Sequence, residues 1–250
     1  EFRIQGFAMW KNIKFAFTFS LSLFLLIACS QGAANQSPSI VEEEFVPIER
    51  NVEVAEVEPE PVELAAVYSI IPGESVARFE LDEDLRSADT GWGAWTRVTV
   101  LGDTDQVFGD IAVNADDLAS TQLVDIKIDA NTFYTNEPVR RRKIQTQILE
   151  TEIYPFITFQ PTGIREMPET VQLGEEIAFM IDGDLTIRTV SLPQTFEVTA
   201  VLASPDEIVG TAAAVVTRQS YGIEIPGVPN IADVEDEVEL YIDFVARATN

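Results

Sequence analysis

The chain contains no histidine and a single cysteine, Cys29, among its 250 residues. Without histidine, and with that one thiol spent elsewhere, the usual ligand sets of zinc, copper and haem iron cannot be assembled. Nucleophile systems that rely on an imidazole base fall with them. Positive charge is scarce too, with 16 Lys plus Arg against 42 Asp plus Glu, a net charge of −26. So anionic a chain repels nucleic acid and the anionic faces of membranes, and no nucleic-acid partner is expected. Oxygen-only calcium sites survive these exclusions. Yet Asp103-Thr104-Asp105 lacks the further acidic and glycine positions of a calcium loop and reads as a turn. Neither a metal nor a cofactor is therefore expected.

What is present begins with an address. Met9, Lys11 and Lys14 give a short positive start, and Phe15–Ala28 follows almost free of polar side chains. This is the order of an export signal, and its apolar core of about 14 residues falls short of the roughly 20 that a spanning helix needs. The end of that run, Leu26-Ile27-Ala28-Cys29, resembles the lipobox of bacterial lipoproteins. The resemblance implies a diacylglycerol on the Cys29 thiol and a protein lipid-anchored to a bacterial membrane outside the cytoplasm, at the periplasmic face or the cell surface. An unpaired thiol is disfavoured in an exported protein, which weighs for lipidation. The alternatives are an ordinary cleaved signal with an incidental cysteine, or a single membrane anchor. Residues 1–8 read as an upstream extension, so 1–29 is extension plus signal peptide.

Residues 30–65 change character. Small and amide residues give way to Glu42-Glu43-Glu44 and then to a run of Val, Glu and Pro that includes Pro59 and Pro61. Like charges and few aromatics argue against a packed core, so the segment reads as a disordered acidic stalk with a reach of roughly 30–36 Å. The competing reading sets Val52, Val54 and Val57 as a strand against the body.

From residue 66 to 250 the period is two. Ile126 and Ile128 alternate with Asp125, Lys127 and Asp129, and Ile177, Phe179 and Ile181 with Ala178, Met180 and Asp182. Phe196, Val198 and Ala200 do the same, as do Val238, Leu240, Ile242 and Phe244. Such segments are strands with one buried face, and their spacing predicts an antiparallel barrel or sandwich. Gly102-Asp103, Pro161-Thr162-Gly163, Asp182-Gly183-Asp184 and Ser204-Pro205-Asp206 read as turns between them. One stretch breaks the rhythm. Glu137–Glu150 carries Val139, Ile144, Ile148 and Leu149 at helical spacing, with Pro138 tolerated in the first turn. The body is thus all-β with one short helix.

A family resemblance narrows this further. Val107-Phe108-Gly109-Asp110-Ile111-Ala112-Val113 precedes Ile126-Lys127-Ile128-Asp129 and Thr132. Then come Ile153-Tyr154-Pro155-Phe156-Ile157-Thr158-Phe159, Gly183-Asp184-Leu185-Thr186-Ile187-Arg188 and Val190-Ser191-Leu192-Pro193. In that order and spacing, over roughly Val67–Ala248, the chain resembles the YceI-like, polyisoprenoid-binding family. The resemblance implies an eight-stranded antiparallel lipocalin-like barrel holding a long isoprenoid lipid, a quinone or a polyprenyl phosphate, and no catalytic residues. Three features depart from the family pattern: the missing histidines, Thr189 in a usual glycine position, and Leu192 where a basic residue often stands.

The expected lining is Phe133, Ile144, Ile148, Phe156 and Phe159, then Phe179, Leu185, Ile187 and Phe196, and on the last strand Leu240 and Phe244. An eight-stranded barrel is just wide enough to fill with side chains or to hold one slender ligand. The same residues therefore fit a solid core, which would make the protein a non-catalytic surface interaction module. Arg140-Arg141-Arg142-Lys143 is a basic block in an acidic chain. Arg140 and Arg141 are the headgroup candidates, because guanidinium groups grip phosphate oxygens bidentately; the block equally reads as a solvated helix face. Trp92 and Trp95 fit either a lid or an outer packing role, and Tyr221-Gly222 with Pro226–Pro229 a second rim loop. Asp182 and Asp184 sit two apart, and paired carboxylates can do acid–base work, but Gly183 between them favours a bend.

Overall fold

The structure, a computed structural model, describes residues 67–86, 95–114, 117–225 and 232–249. The signal segment with Cys29, the stalk, Trp92 and Pro226–Pro229 lie outside the described residues.

Alternating apolar residues bury one face of each strand, and closing the sheet on itself gives all of those faces a common interior. The strands are β1 (Val67–Ile70), β2 (Val76–Leu85), β3 (Thr96–Thr104), β4 (Val107–Ala112), β5 (Gln122–Asp129) and β6 (Phe156–Arg165). They are followed by β7 (Glu176–Ile187), β8 (Val190–Ser204), β9 (Glu207–Thr217), β10 (Ala232–Val234) and β11 (Glu237–Ala248). Pairing runs β1-β4-β5-β6-β7-β8-β9-β11, and β11 returns to β1, so eight strands close a ring of antiparallel ladders. The remaining segments extend it. β1 and β2 lie end to end along β11, which pairs Ala246–Ala248 with β1 and Glu239–Asp243 with β2. β3 joins β2, and β10 pairs the tip of β2. Tyr68, fully buried, ties β1 across the barrel end by donating its hydroxyl to the Pro205 carbonyl at 2.6 Å.

Two turn signals of the sequence fall inside strands for one shared reason. Gly102 lies in β3 and Gly183 in the middle of β7. A Cβ on Gly102 would stand 2.3 Å from the Phe79 ring, and one on Gly183 would stand 2.5 Å from the Phe159 ring. These glycines leave out a side chain so that an aromatic ring from the next strand can occupy the place. They do not bend the chain. Pro161-Thr162-Gly163 is likewise no turn but a bulge in β6, where the register against β7 shifts. Pro205-Asp206 does form the β8–β9 turn.

Residues 130–155 form a cap over one end of the ring. The cap leaves β5 and meets β3 where the Asp103 and Tyr134 amides and carbonyls exchange hydrogen bonds at 3.0 and 2.7 Å. It reaches β2 through Arg140 and Glu83, then returns into β6. Its helical part is shorter than the Glu137–Glu150 spacing suggests. α1 (Pro138–Lys143) has Pro138 in its first turn, and the Glu137 carboxylate accepts from the Val139 and Arg140 amides as the cap residue. Those backbone bonds, the one from Arg140 foremost, hold the Glu137 carboxyl below its usual range. A π-turn over Ile144–Ile148 then widens the helix, with Leu149 N–H donating to Ile144 O at 2.8 Å.

Candidate functional site

The interior is hollow. Two chambers stack along the barrel, a larger one of about 420 Å³ beneath the cap and a smaller one of about 140 Å³ at the opposite end. Four side chains, Ile126, Phe159, Phe196 and Ile242, line both and form the waist between them. The solid-core alternative therefore does not describe this barrel.

Strand parity decides who faces the hollow. On β7 the inward row is Ile177, Phe179, Ile181, Gly183, Leu185 and Ile187, and the burial pattern alternates accordingly along its second half. Phe133, Ile144, Ile148, Leu185, Ile187 and Leu240 line the larger chamber. Phe179 and Phe244 line the smaller one, and Phe159 and Phe196 both. Phe156 does not. It is 46% exposed on the outer face, because Ile157 and Phe159 take the inward positions at that end of β6 and a residue three before Phe159 points the other way.

The chambers differ in polarity. Thr121 and Glu175 bring polar side chains to the wall of the smaller chamber. The larger one gathers Glu83, Glu137, Arg140, Lys143 and Arg218 at the end under the cap. Arg218 is spoken for: its guanidinium donates to the carbonyls of Ile223, Val234 and Glu235 at 3.0–3.1 Å. Arg140 faces Glu83 at 3.4 Å, with side chains 25% and 14% exposed. Arg141 is a correction to the sequence reading. It stacks over the Tyr134 ring, 5.3 Å from the centroid, and is not part of the lining. Four successive residues surround a helix, so the two arginines diverge.

One residue that spacing alone did not single out bears on the site, Glu83. It follows Ala77, Phe79 and Leu81 in the inward row of β2, and a carboxylate in such a row is the sequence signal that marks it. Tyr221, 3% exposed, does line the larger chamber, as a rim loop requires. Trp95 packs outside, with the Arg86 guanidinium 4.6 Å above its ring. Asp182 and Asp184 point away from the hollow. Asp182 pairs with Arg165 and accepts from Thr195 at 2.6 Å, contacts that draw its carboxyl down from 3.8 to about 2, Arg165 contributing most. The Arg165 ion pair and the Thr195 hydrogen bond engage Asp182 on the outer face, away from the chambers.

The YceI-like domain family model matches residues 68–246. Among solved structures, a polyisoprenoid-binding domain from Saccharophagus degradans implicated in plant cell wall breakdown aligns with a TM-score of 0.56 at 16% identity. That alignment covers 74% of this chain and 99% of the other. BcnA of Burkholderia cenocepacia aligns at 0.49 with 15% identity, over 66% of this chain and 95% of its own. The YceI protein of Campylobacter jejuni aligns at 0.48 with 15% identity, over 60% and 85%. At such identities the first of these likenesses speaks for the fold alone. No curated protein matches the chain.

Proposed function

This chain belongs to the YceI-like domain family, and on that footing we propose that its barrel binds the tail of a long isoprenoid lipid, carried on a protein anchored outside the cytoplasm through Cys29. The observation that carries the reading is the hollow itself, lined mainly by apolar side chains, with most of its charged ones gathered under the cap. An isoprenoid tail needs a dry, narrow, elongated space and offers no hydrogen bond to its walls. Burial of one CH₂ is worth about 0.8 kcal/mol, so an isoprene unit contributes about 3 kcal/mol before ordering costs. A few units supply the roughly 8 kcal/mol of micromolar binding without polar help.

The tail enters the larger chamber and the headgroup stays under the cap, beside Glu83 and Arg140. That pair offers a carboxylate acceptor and a guanidinium donor, which suits a quinone or a polyprenol. A polyprenyl phosphate fits only by taking Glu83's place on Arg140. Binding and carriage, without a chemical step, is the role this arrangement supports. The structural neighbour described as polyisoprenoid-binding agrees with it.

Native mass spectrometry of the full chain, extracted gently from membranes, tests the cargo. An adduct of isoprenoid mass is expected; a barrel that comes out empty and ignores added quinones and polyprenols overturns the reading. The anchor has its own test. Mass spectrometry of the mature N-terminus is expected to find Cys29 as its first residue, carrying the mass of a diacylglycerol, and an N-terminus without that addition refutes lipidation at Cys29.

A further inference from the structure

We propose that Phe159 and Phe196 form a fixed partition that measures the tail, admitting isoprene units to the larger chamber and stopping them at the waist. This rests on the isoprenoid reading above and adds to it a length limit with named residues.

The rings come from strands β6 and β8, on either side of β7, and meet edge to face with centroids 4.9 Å apart. They meet where β7 contributes no side chain, at Gly183, between inward Ile181 and Leu185. Phe159 lies directly on that gap. A Cβ at Gly183 would be 2.5 Å from its Cζ, so the ring has no slack toward the wall. Ile126 is seated in the same manner, since a Cβ on Gly109 would stand 2.5 Å from its Cδ1. Two of the four waist side chains thus fill space yielded by glycines on a neighbouring strand. Phe159 and Phe196 are 7% and 4% exposed. Rings packed in this manner do not swing aside without displacing backbone or each other. Below them the smaller chamber, one third the volume of the larger, is apolar and would accept a further piece of tail if the partition were cut.

Affinity therefore climbs with each unit until the tail touches the waist, and longer tails gain nothing more because their surplus stays outside. Binding of the delipidated full chain to geraniol, farnesol, geranylgeraniol, geranylfarnesol and solanesol tests this. The wild type is expected to reach a plateau within the series. Phe196→Ala is expected to move the plateau to a longer alcohol and tighten binding of the first alcohol beyond the wild-type limit by about tenfold or more. Phe159→Leu and Phe196→Leu, which keep an apolar side chain in the core, are expected to shift it in the same direction by less. A wild type without a plateau, or folded leucine variants with the wild-type profile, overturns the partition and leaves the lipid reading standing. A wild type that binds none of the alcohols removes both.

Discussion

Arg188 and Glu150 hold each other across the far end of the cap, and each does so from a left-handed backbone, with φ of +56° and +50°. Neither is a glycine, and such a conformation costs an ordinary residue about 1–2 kcal/mol. Arg188 opens the two-residue β7–β8 turn, where it also donates to Ile148 O at 3.4 Å and stands over the Tyr154 ring. One turn residue thereby gathers the end of the π-turn, Glu150 two residues beyond it and Tyr154 ahead of β6.

Arg188→Asn separates these roles, since asparagine tolerates the left-handed region but cannot reach the cap. The turn should survive while the cap loosens. Amide hydrogen exchange at Leu149 and Thr151 is expected to quicken by about three- to tenfold, consistent with a partly exposed ion pair, while β7 and β8 exchange at their former rates. Unchanged exchange in the cap would mean that Arg188 does not hold it.

Glu83 lies against Arg140 where the proposed headgroup would stand. Glu83→Gln frees Arg140 from its carboxylate without removing a hydrogen-bonding group. Affinity for a polyprenyl phosphate is expected to rise by about tenfold, with the matching alcohol little affected. Equal responses to the two lipids would place the headgroup elsewhere.

Asp182 ties stability to acidity. Its folded carboxyl is lowered from 3.8 to about 2, so its contribution is complete above the unfolded value and is lost as pH falls from there through about 2. Asp182→Asn should therefore lower stability near neutrality and flatten its decline between those values. Urea titrations at several acidic pH values give the slopes, and parallel curves for variant and wild type would contradict the assignment.

Phe133 and Phe156 make a paired test of facing. Phe133 is 5% exposed and packs edge to face on Phe79, with centroids 5.4 Å apart. Phe133→Ala is expected to cost about 3 kcal/mol, the low end for such truncations because a chamber already adjoins it, and to weaken lipid binding. Phe156→Ala is expected to stay within about 0.5 kcal/mol and leave binding untouched. Comparable losses from the two substitutions would show that Phe156 is not the outer-face residue it is here.

The strands that could be read directly were those whose alternation is unbroken, such as the inward Ile177, Phe179 and Ile181 or Val238 through Phe244. Period two is fixed by the pleat, and one buried face writes it into the sequence. Asp182-Gly183-Asp184 misled because turn chemistry and ring-seating chemistry ask for the same residue. Only the ring on the neighbouring strand distinguishes them, and that neighbour is twenty-four residues away at Phe159. Phe156 misled because composition marks it as core, whereas its spacing from Phe159 already denied a common face. Helical spacing from Val139 to Leu149 hid the change from α to π, which appears as an extra residue per turn and not as any residue type. Glu83 stood in plain view, a charge in an apolar row, and lacked only the partner that explains it.

The cap carries none of the ladders that close the ring. Its ties include the Tyr134–Asp103 exchange, the Thr132–Thr104 hydroxyl contact, Arg140 to Glu83 and Arg188 to Glu150, together with apolar contacts from Phe133, Ile144 and Ile148. The aperture at that end can consequently dilate while every rung between the eight staves stays made. For the cargo proposed above, release then needs only a local opening of the cap, whose cost is separate from that of unfolding the barrel.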